Sequence, residues 1–260
     1  MFPKITIVTV SYNHAEYIED NIKSVIAQNY NNLEHIIIDA NSTDGTLAIL
    51  NKYQNHITWI SEPDNGQSHG LNKGFKKATG DIIGWVNSDD QLASGALHKI
   101  SNFFQENPDE IAVVGDQLII SAKGETLRKI QSRSYNHNYL LNQARGITQN
   151  STFFKRHVFD KIGYIDESLS YAMDLDFFIR ITKIKKILYL PETLAIYRMH
   201  PYSKTAEGPY KFAIESLKIR KKNNGSIFSP ANINALYIII FQPLRQIKWF
   251  RLLIQKLRQI

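Results

Sequence analysis

Asp81–Asp90, DIIGWVNSDD, is the stretch whose reading decides the fold. Ile82, Ile83, Gly84, Trp85 and Val86 form an apolar run of the length expected for a buried strand, and the run stops at Asn87-Ser88-Asp89-Asp90. A core strand therefore ends in two carboxylates. Successive side chains on an extended chain point to opposite faces. Asp89 and Asp90 are thus expected to do different jobs, one reaching an ion and the other a neighbouring hydroxyl or amide. Carboxylate oxygens at a strand end suit Mg²⁺ or Mn²⁺, hard cations that keep positions open for substrate phosphates. Asn, Ser and Asp are also ordinary turn formers, so the flanking segments must decide between a site and a plain turn.

Upstream, Lys4 to Tyr12 reads as a strand that ends in Ser11, Tyr12, Asn13 and His14. Ala15 to Gln28 follows with Ile18, Ile22, Val25 and Ile26 at helical spacing. A second strand, Leu33 to Ile38, runs into the polar loop Asp39–Thr46, with Thr43 or Asp44 as N-cap of a helix over 46–53. His56–Ile60 and Ser68–Ala78 complete the alternation as strand and helix before Asp81. Strands alternating with helices predict an α/β fold with a mainly parallel sheet, in which ligands bind beyond the carboxyl ends of the strands. Three such ends here carry polar clusters, at 11–14, 39–44 and 87–90.

Downstream the pattern changes. Ser94–Asn107 predicts a helix stopped by Pro108, and Ile111–Ile120 with Glu125–Ser132 predicts an antiparallel hairpin turning at Gly124. A strand is expected at STFFK, a helix over 157–162, a helix over 166–182 carrying Asp174 and Asp176, and two closing strands at 186–190 and 194–199.

Composition excludes several functions. The 260 residues contain no cysteine, which removes disulfides, thiolate metal sites and cysteine catalysis and fits a reducing compartment. No apolar leader with a cleavage site opens the chain, so a cytoplasmic location is expected. From Lys211 onward there are ten Lys or Arg and one acid, Glu215, a net +9 that leaves residues 1–210 at −2 of the total +7. A nucleic-acid binder more usually spreads its basic residues over the folded domain, and nucleic acid is not expected as a partner. Glycine-rich phosphate loops are missing. A diphosphate would then be neutralised by a carboxylate-held divalent ion.

TIVTVSYN, DANSTDGT, SEPDNGQSHGLNKGF, GDIIGWVNSDD, ITQNSTFF and YAMDLDFFIR, in this order and spacing, resemble the family 2 glycosyltransferases from about Ile5 to His200. The resemblance implies a single GT-A-type domain over 1–210, with a mainly parallel Rossmann-like sheet and a small antiparallel part. Its nucleotide-binding half would be 1–90 and its acceptor half 91–210, followed by a C-terminal amphipathic helical tail over 211–260. It implies inverting transfer of a sugar from a nucleoside diphosphate sugar, UDP- or dTDP-type, to an acceptor hydroxyl of a glycan or lipid-linked glycan. The setting would be bacterial surface glycan synthesis and the cofactor Mg²⁺ or Mn²⁺.

Carried over by residue, Thr9, Ser11, Asn13 and Asp39 would hold base and ribose, with Asp39 accepting from a ring N–H of uracil or thymine. Ser42 would shape the same pocket, Asp44 would cap the following helix, and Lys73 would reach a phosphate or sugar unless it merely decorates a solvated helix face. Asn87 takes the first position of the D-x-D region, so the metal falls to Asp89 or Asp90, with His200 as a third ligand. Asn87 and Asp89 also border the nucleotide. His69 stands where many relatives have Asp. Asp174 would be the catalytic base, and Asp176, about 200° further round a helix, a structural partner. Gln149 and Trp85 would touch donor or acceptor sugar. The other readings are a non-catalytic nucleotide-sugar or glycan binder of the same fold and a sugar nucleotidyltransferase.

Residues 238–260 place Phe241, Leu244, Ile247, Phe250, Leu253, Ile254 and Leu257 at helical spacing among Arg and Lys. Their apolar runs are too short to span a bilayer, which takes about 20 apolar residues. Such a helix can lie on an anionic membrane at the inner face of the plasma membrane, or pack on its own domain or a second subunit.

Overall fold

The computed structural model describes residues 2–143, 146–204 and 208–244. Four parallel strands form the first half of one sheet: β1 (Ile5–Ser11), β2 (Leu33–Asp39), β3 (Thr58–Ser61) and β4 (Ile82–Trp85), in the order β3-β2-β1-β4. The apolar runs of β1, β2 and β4 are those of strands covered on both faces, whereas β3 is a partly exposed edge strand. Ser11 pairs with Asp39 and Val8 with Trp85, so the three polar clusters expected to converge do lie along one sheet edge.

Helices α1 (Ile18–Ile26), α2 (Thr46–Lys52), α3 (Gln67–Lys77) and α4 (Ala96–Glu106) cover this sheet. The glycine of the Asn72-Lys73-Gly74 stretch is explained by packing. A Cβ on Gly74 would stand 2.4 Å from a methyl of Val8, so α3 can lie directly on β1 only with glycine there.

Past β4 the sheet continues through β5 (Gln91–Leu92), β6 (Ala112–Ser121), β7 (Thr126–Ile130), β8 (Thr152–Lys155) and β9 (Leu188–Met199), with the path β4-β8-β6-β9-β5 and β7 beside β6. β8 is antiparallel to β4 and to β6, and β9 runs parallel to β6. The hairpin turning at Gly124 (φ 87°) forms as expected. The two closing strands do not. They are one strand of twelve residues, β9, that carries Pro191 in mid-course and shifts register against β6 between Val114 and Gln117. β5 was not anticipated, since two residues give no periodic signal.

Short helices α5 (His137–Asn142) and α6 (Val158–Ile162) precede α7 (Met173–Ile184). α7 begins seven residues later than the pattern predicted, because 166–172 form turns and bends. Phe75, Phe154, Phe159 and Phe177 pack ring on ring with centroids 5.1–6.4 Å apart, uniting both halves of the chain in one core. The tail supplies α8 (Pro209–Lys222) and α9 (Pro230–Leu244). Of the amphipathic helix expected over 238–260, residues 245–260 lie outside the described residues.

Candidate functional site

The loop after β4 is fixed from beneath. Asn21, buried on the apolar face of α1, donates its amide to the carbonyls of both Asn87 and Asp90 at 2.9 Å. Asp90 turns inward, where Oδ1 accepts from the Arg198 N–H (3.1 Å) and Oδ2 from Asn150 (3.0 Å). Burial raises its carboxyl well above the usual carboxylate range, with the Asp89 charge acting in the same direction. Asp89 points the other way, its Oδ2 lying 3.1 Å from Nε2 of His200 at the end of β9. The carboxylates part as expected, but not through a strand's pleat: β4 ends at Trp85, and the turn closed by the Asp90 N–H on the Asn87 carbonyl sends them apart. The His200 ring is buried against Tyr17 (4.7 Å between centroids), and its Nδ1 has no partner among the described residues. Neighbouring Ser88 meets His14 Nδ1 at 2.6 Å.

Two ligands in cis on an octahedral ion with bonds of about 2.1 Å stand about 3 Å apart. The Asp89–His200 separation fits that edge. Asp90, occupied by two internal hydrogen bonds, does not fit. Among the described residues no three His, Cys, Asp or Glu side chains converge, so the chain would supply two ligands and leave the other positions to phosphate oxygens and water.

The residues expected around a base and ribose behave differently from one another. Thr9 is fully buried, its hydroxyl 3.1 Å from His35 and 3.5 Å from Asn21. It braces β1, β2 and α1, and it does not open onto the sheet edge. Ser11 is buried at the end of β1 with its hydroxyl unpartnered among the described residues. Asp39 is fully buried and accepts from the Ser42 N–H (2.9 Å), the Ser42 hydroxyl (2.5 Å) and Ser61 (2.7 Å). Three of a carboxylate's roughly four lone-pair sites are then used within the loop. Asn13 takes a left-handed conformation (φ 51°) and accepts from the Thr43 N–H, while Ser42 Oγ accepts from the Asn13 N–H. Asp44 accepts from the Thr46 N–H and hydroxyl and from the Ala15 N–H, holding the entry to α2.

On α3, Lys73 directs its ammonium to Glu62 (2.8 Å) and the Pro63 carbonyl (3.0 Å), bracing the connection between β3 and α3. It is absent from the wall of the cavity described next. Asn72 exchanges two hydrogen bonds with the Ile165 backbone and tethers α3 to the segment before α7. His69 accepts from the Asn65 N–H within its own turn.

A cavity of about 640 Å³ opens between the 87–90 loop, the turn Gln149–Ser151, the start of α7 and the tail helices. Trp85, Asn87, Asp90, Gln149, Asn150 and Asp174 line it together with Tyr171, Met173, Phe212 and Ile238. Asn87 Oδ1 accepts from the Trp85 indole (2.8 Å) and from Gln67 (3.0 Å), and Gln149 donates to the Trp85 carbonyl. Asp174 stands partly buried at the head of α7. Burial pushes its carboxyl up to about 6, against the hydrogen bond it accepts from the Leu175 N–H (2.7 Å). Asp176 is indeed a structural partner, paired with Arg180 at 2.8 Å.

Asn87, Asp90, Gln149, Trp85 and Asp174 therefore share one cavity, with Asp89 and His200 paired at the back of the same loop. Sequence reasoning missed Asn21, Gln67 and Asn150, which hold that loop. Only Asn21 left a signal, a polar residue within the apolar stripe Ile18, Ile22, Val25.

The family model "Glycosyl transferase family 2" matches residues 6–163. An uncharacterized glycosyltransferase of Rickettsia typhi is 27% identical over 206 residues, covering 76% of this chain and 64% of its own, so the chain spans a little under two thirds of that relative. A putative teichuronic acid biosynthesis glycosyltransferase, TuaG, of Bacillus subtilis is 33% identical over 122 residues, covering 45% of this chain and 48% of its own. Among solved structures, S. aureus TarS in complex with UDP-GlcNAc superposes with a TM-score of 0.66 at 17% identity, over 91% of this chain and 70% of that one. The mannosyltransferase PcManGT of Pyrobaculum calidifontis, in complex with GDP-Man and Mn²⁺, gives 0.64 at 17% identity over 92% and 70%. At such identity these structures show the shared fold alone.

Proposed function

The chain belongs to glycosyl transferase family 2, and from that premise we propose that it moves a sugar, with inversion, from a nucleoside diphosphate sugar to an acceptor hydroxyl. One observation carries the reading: a carboxyl raised to about 6 lines the cavity that also opens onto the 87–90 loop. A base works best when its pKa approaches the working pH, and a positioned one contributes roughly 10² to 10⁴ in rate. Asp174, mostly ionised at neutral pH yet more basic than an ordinary carboxylate, suits that task. The acceptor oxygen bonds to C1 of the donor sugar as the bond from C1 to the phosphate oxygen breaks. The nucleoside diphosphate leaves with the electron pair, and the acceptor's proton passes to Asp174.

Asp89 and His200 hold Mg²⁺ or Mn²⁺ in this reading, and a bound ion supplies positive charge to the departing diphosphate. The Mn²⁺ in the PcManGT complex supports it. A UDP- or dTDP-type donor is supported by the TarS complex with UDP-GlcNAc; Asp39, fully buried, shapes this loop through its hydrogen bonds to Ser42 and Ser61. Ser11, with its hydroxyl unspent, lies on the same strand edge.

The acceptor is a glycan or lipid-linked glycan of the bacterial surface, as the likeness to TuaG suggests. The apolar side chains Met173, Phe212 and Ile238 in the cavity wall support the lipid-linked form. Ile227, Phe228, Ile233, Leu236, Tyr237 and Ile240 are exposed on α9 and the turn before it, and the basic residues of the tail flank them. Among the described residues no helix is long and apolar enough to cross a membrane. Peripheral contact with the inner face of the plasma membrane fits both facts.

The test is release of nucleoside diphosphate from UDP-GlcNAc, UDP-glucose and dTDP-glucose by the purified protein with Mn²⁺. Turnover is expected in the wild type and lost in Asp174→Asn with donor binding kept. Donor binding without turnover in the wild type would identify a non-catalytic binder, and full turnover in Asp174→Asn would remove Asp174 as base.

A further inference from the structure

Glu215 is the single acid between Lys211 and the end of the sequence. Its side chain leaves α8 and meets the backbone just ahead of α7. Oε2 accepts from the N–H groups of Tyr171 and Ala172, both at 2.8 Å, and Oε1 from that of Ser170 at 3.0 Å. Three consecutive N–H groups closing on one carboxylate form an anion-binding concavity, here filled by the chain itself. The site is also the N-terminus of a helix, where negative charge is favoured. Ala172 is the N-cap of α7 and Asp174 its second residue, so the clamp ends two positions before the proposed base.

The neighbouring contacts fasten the same segment. Gly208, at the start of α8, lies so close to the Tyr171 ring that a Cβ there would come within 2.2 Å of it. Lys211 donates to the Tyr171 hydroxyl at 3.1 Å, and Lys204 and Lys211 both stand over the Tyr171 ring. Tyr171 also lines the cavity. All of this lies beyond residue 163, where the family match ends.

We propose that Glu215 is a positioning residue for Asp174: α8, through this carboxylate, fixes residues 170–172 and so sets where the base points and how much negative charge surrounds it. The proposal rests on Asp174 being the base. Among the described residues, Glu215 from α8 and Lys204 from the segment after β9 act on the charge of Asp174 from beyond its own helix. Glu215 favours the protonated form of Asp174, and Lys204 opposes it.

The deciding measurements need no substrate. Amide hydrogen exchange at 170–172 and NMR titration of the Asp174 carboxyl are compared in the wild type, Glu215→Gln and Glu215→Ala. Glu215→Gln, which keeps shape and one acceptor oxygen, serves if Glu215→Ala does not fold. Faster exchange at 170–172 and a lower titration midpoint for Asp174 in Glu215→Gln are expected. Unchanged exchange, or an Asp174 midpoint equal to that of the wild type, overturns the proposal. A loss of stability alone would not move the midpoint.

Turnover of UDP-GlcNAc or another accepted donor adds a second arm. A misplacement of about 1 Å costs roughly 10²-fold in rate, so kcat should fall at least tenfold in Glu215→Ala with the donor Kd unchanged, and Glu215→Asp should recover part of it. Wild-type kcat in Glu215→Ala beside an inactive Asp174→Asn would reject the clamp while leaving the base in place. Full activity in Asp174→Asn would reject the base itself.

Discussion

Oδ2 of Asp89 and Nε2 of His200 lie 3.1 Å apart although 111 positions separate them in sequence. The loop after β4 and the end of β9 meet there, in a contact between a carboxylate and an imidazole whose separation also suits two ligands of one ion.

Removing either partner should abolish the Mn²⁺-dependent part of donor binding. Calorimetric titration with UDP, with and without Mn²⁺, should show at least tenfold tightening by the ion in the wild type and none in Asp89→Ala or His200→Ala, since even outer-shell changes typically cost 10–100-fold in metal affinity. Undiminished Mn²⁺ dependence in both variants would reject the pair as ligands.

Asp174 predicts opposite effects on activity and stability. A base must be ionised, so kcat/KM should fall as pH drops through about 6. The folded carboxyl titrates above its unfolded value of about 3.9. The stability contributed by its protonated form is therefore present below about pH 4 and is lost as pH rises through about 6. Asp174→Asn should then be inactive yet more stable than the wild type at pH 8, by on the order of 1–3 kcal/mol, with the difference vanishing below about pH 4. Equal urea midpoints at pH 8 would contradict the raised carboxyl.

The exposed face of α9 predicts lipid binding. The intact protein should sediment with phosphatidylcholine vesicles containing phosphatidylglycerol at low salt, less so at high salt, and little with phosphatidylcholine alone. Replacing both Ile233 and Ile240 by Ser should weaken binding on the order of tenfold or more, since each fully buried Ile contributes about 1.5–3 kcal/mol. A protein that stays in the supernatant with anionic vesicles at low salt would rule out the contact.

The front half of the fold was legible because β1, β2 and β4 are apolar runs that end abruptly in polar clusters, a pattern set by burial on both faces. Asp89 and Asp90 do face apart, but the cause is the turn after Trp85 and not the strand's period of two. Legibility ended where tertiary contacts override local pattern. Pro191 broke the apparent strand, yet β9 passes through it with a shift of register. The polar run 166–172 looked like the start of a helix but is held in turns, partly by Glu215 from a distant element. Thr9 and Lys73 show the same limit within the site. Their residue types suit a ligand, but His35 and Glu62, brought near only by folding, engage them internally.

α9 has one more consequence. Ile238 forms part of the cavity wall, while Ile233, Tyr237 and Ile240 on the same helix face outward. A contact on the outer side would therefore bear on a helix that also lines the cavity. Under the proposed function, adding anionic vesicles for α9 to rest on should raise kcat more than it lowers the KM for the donor.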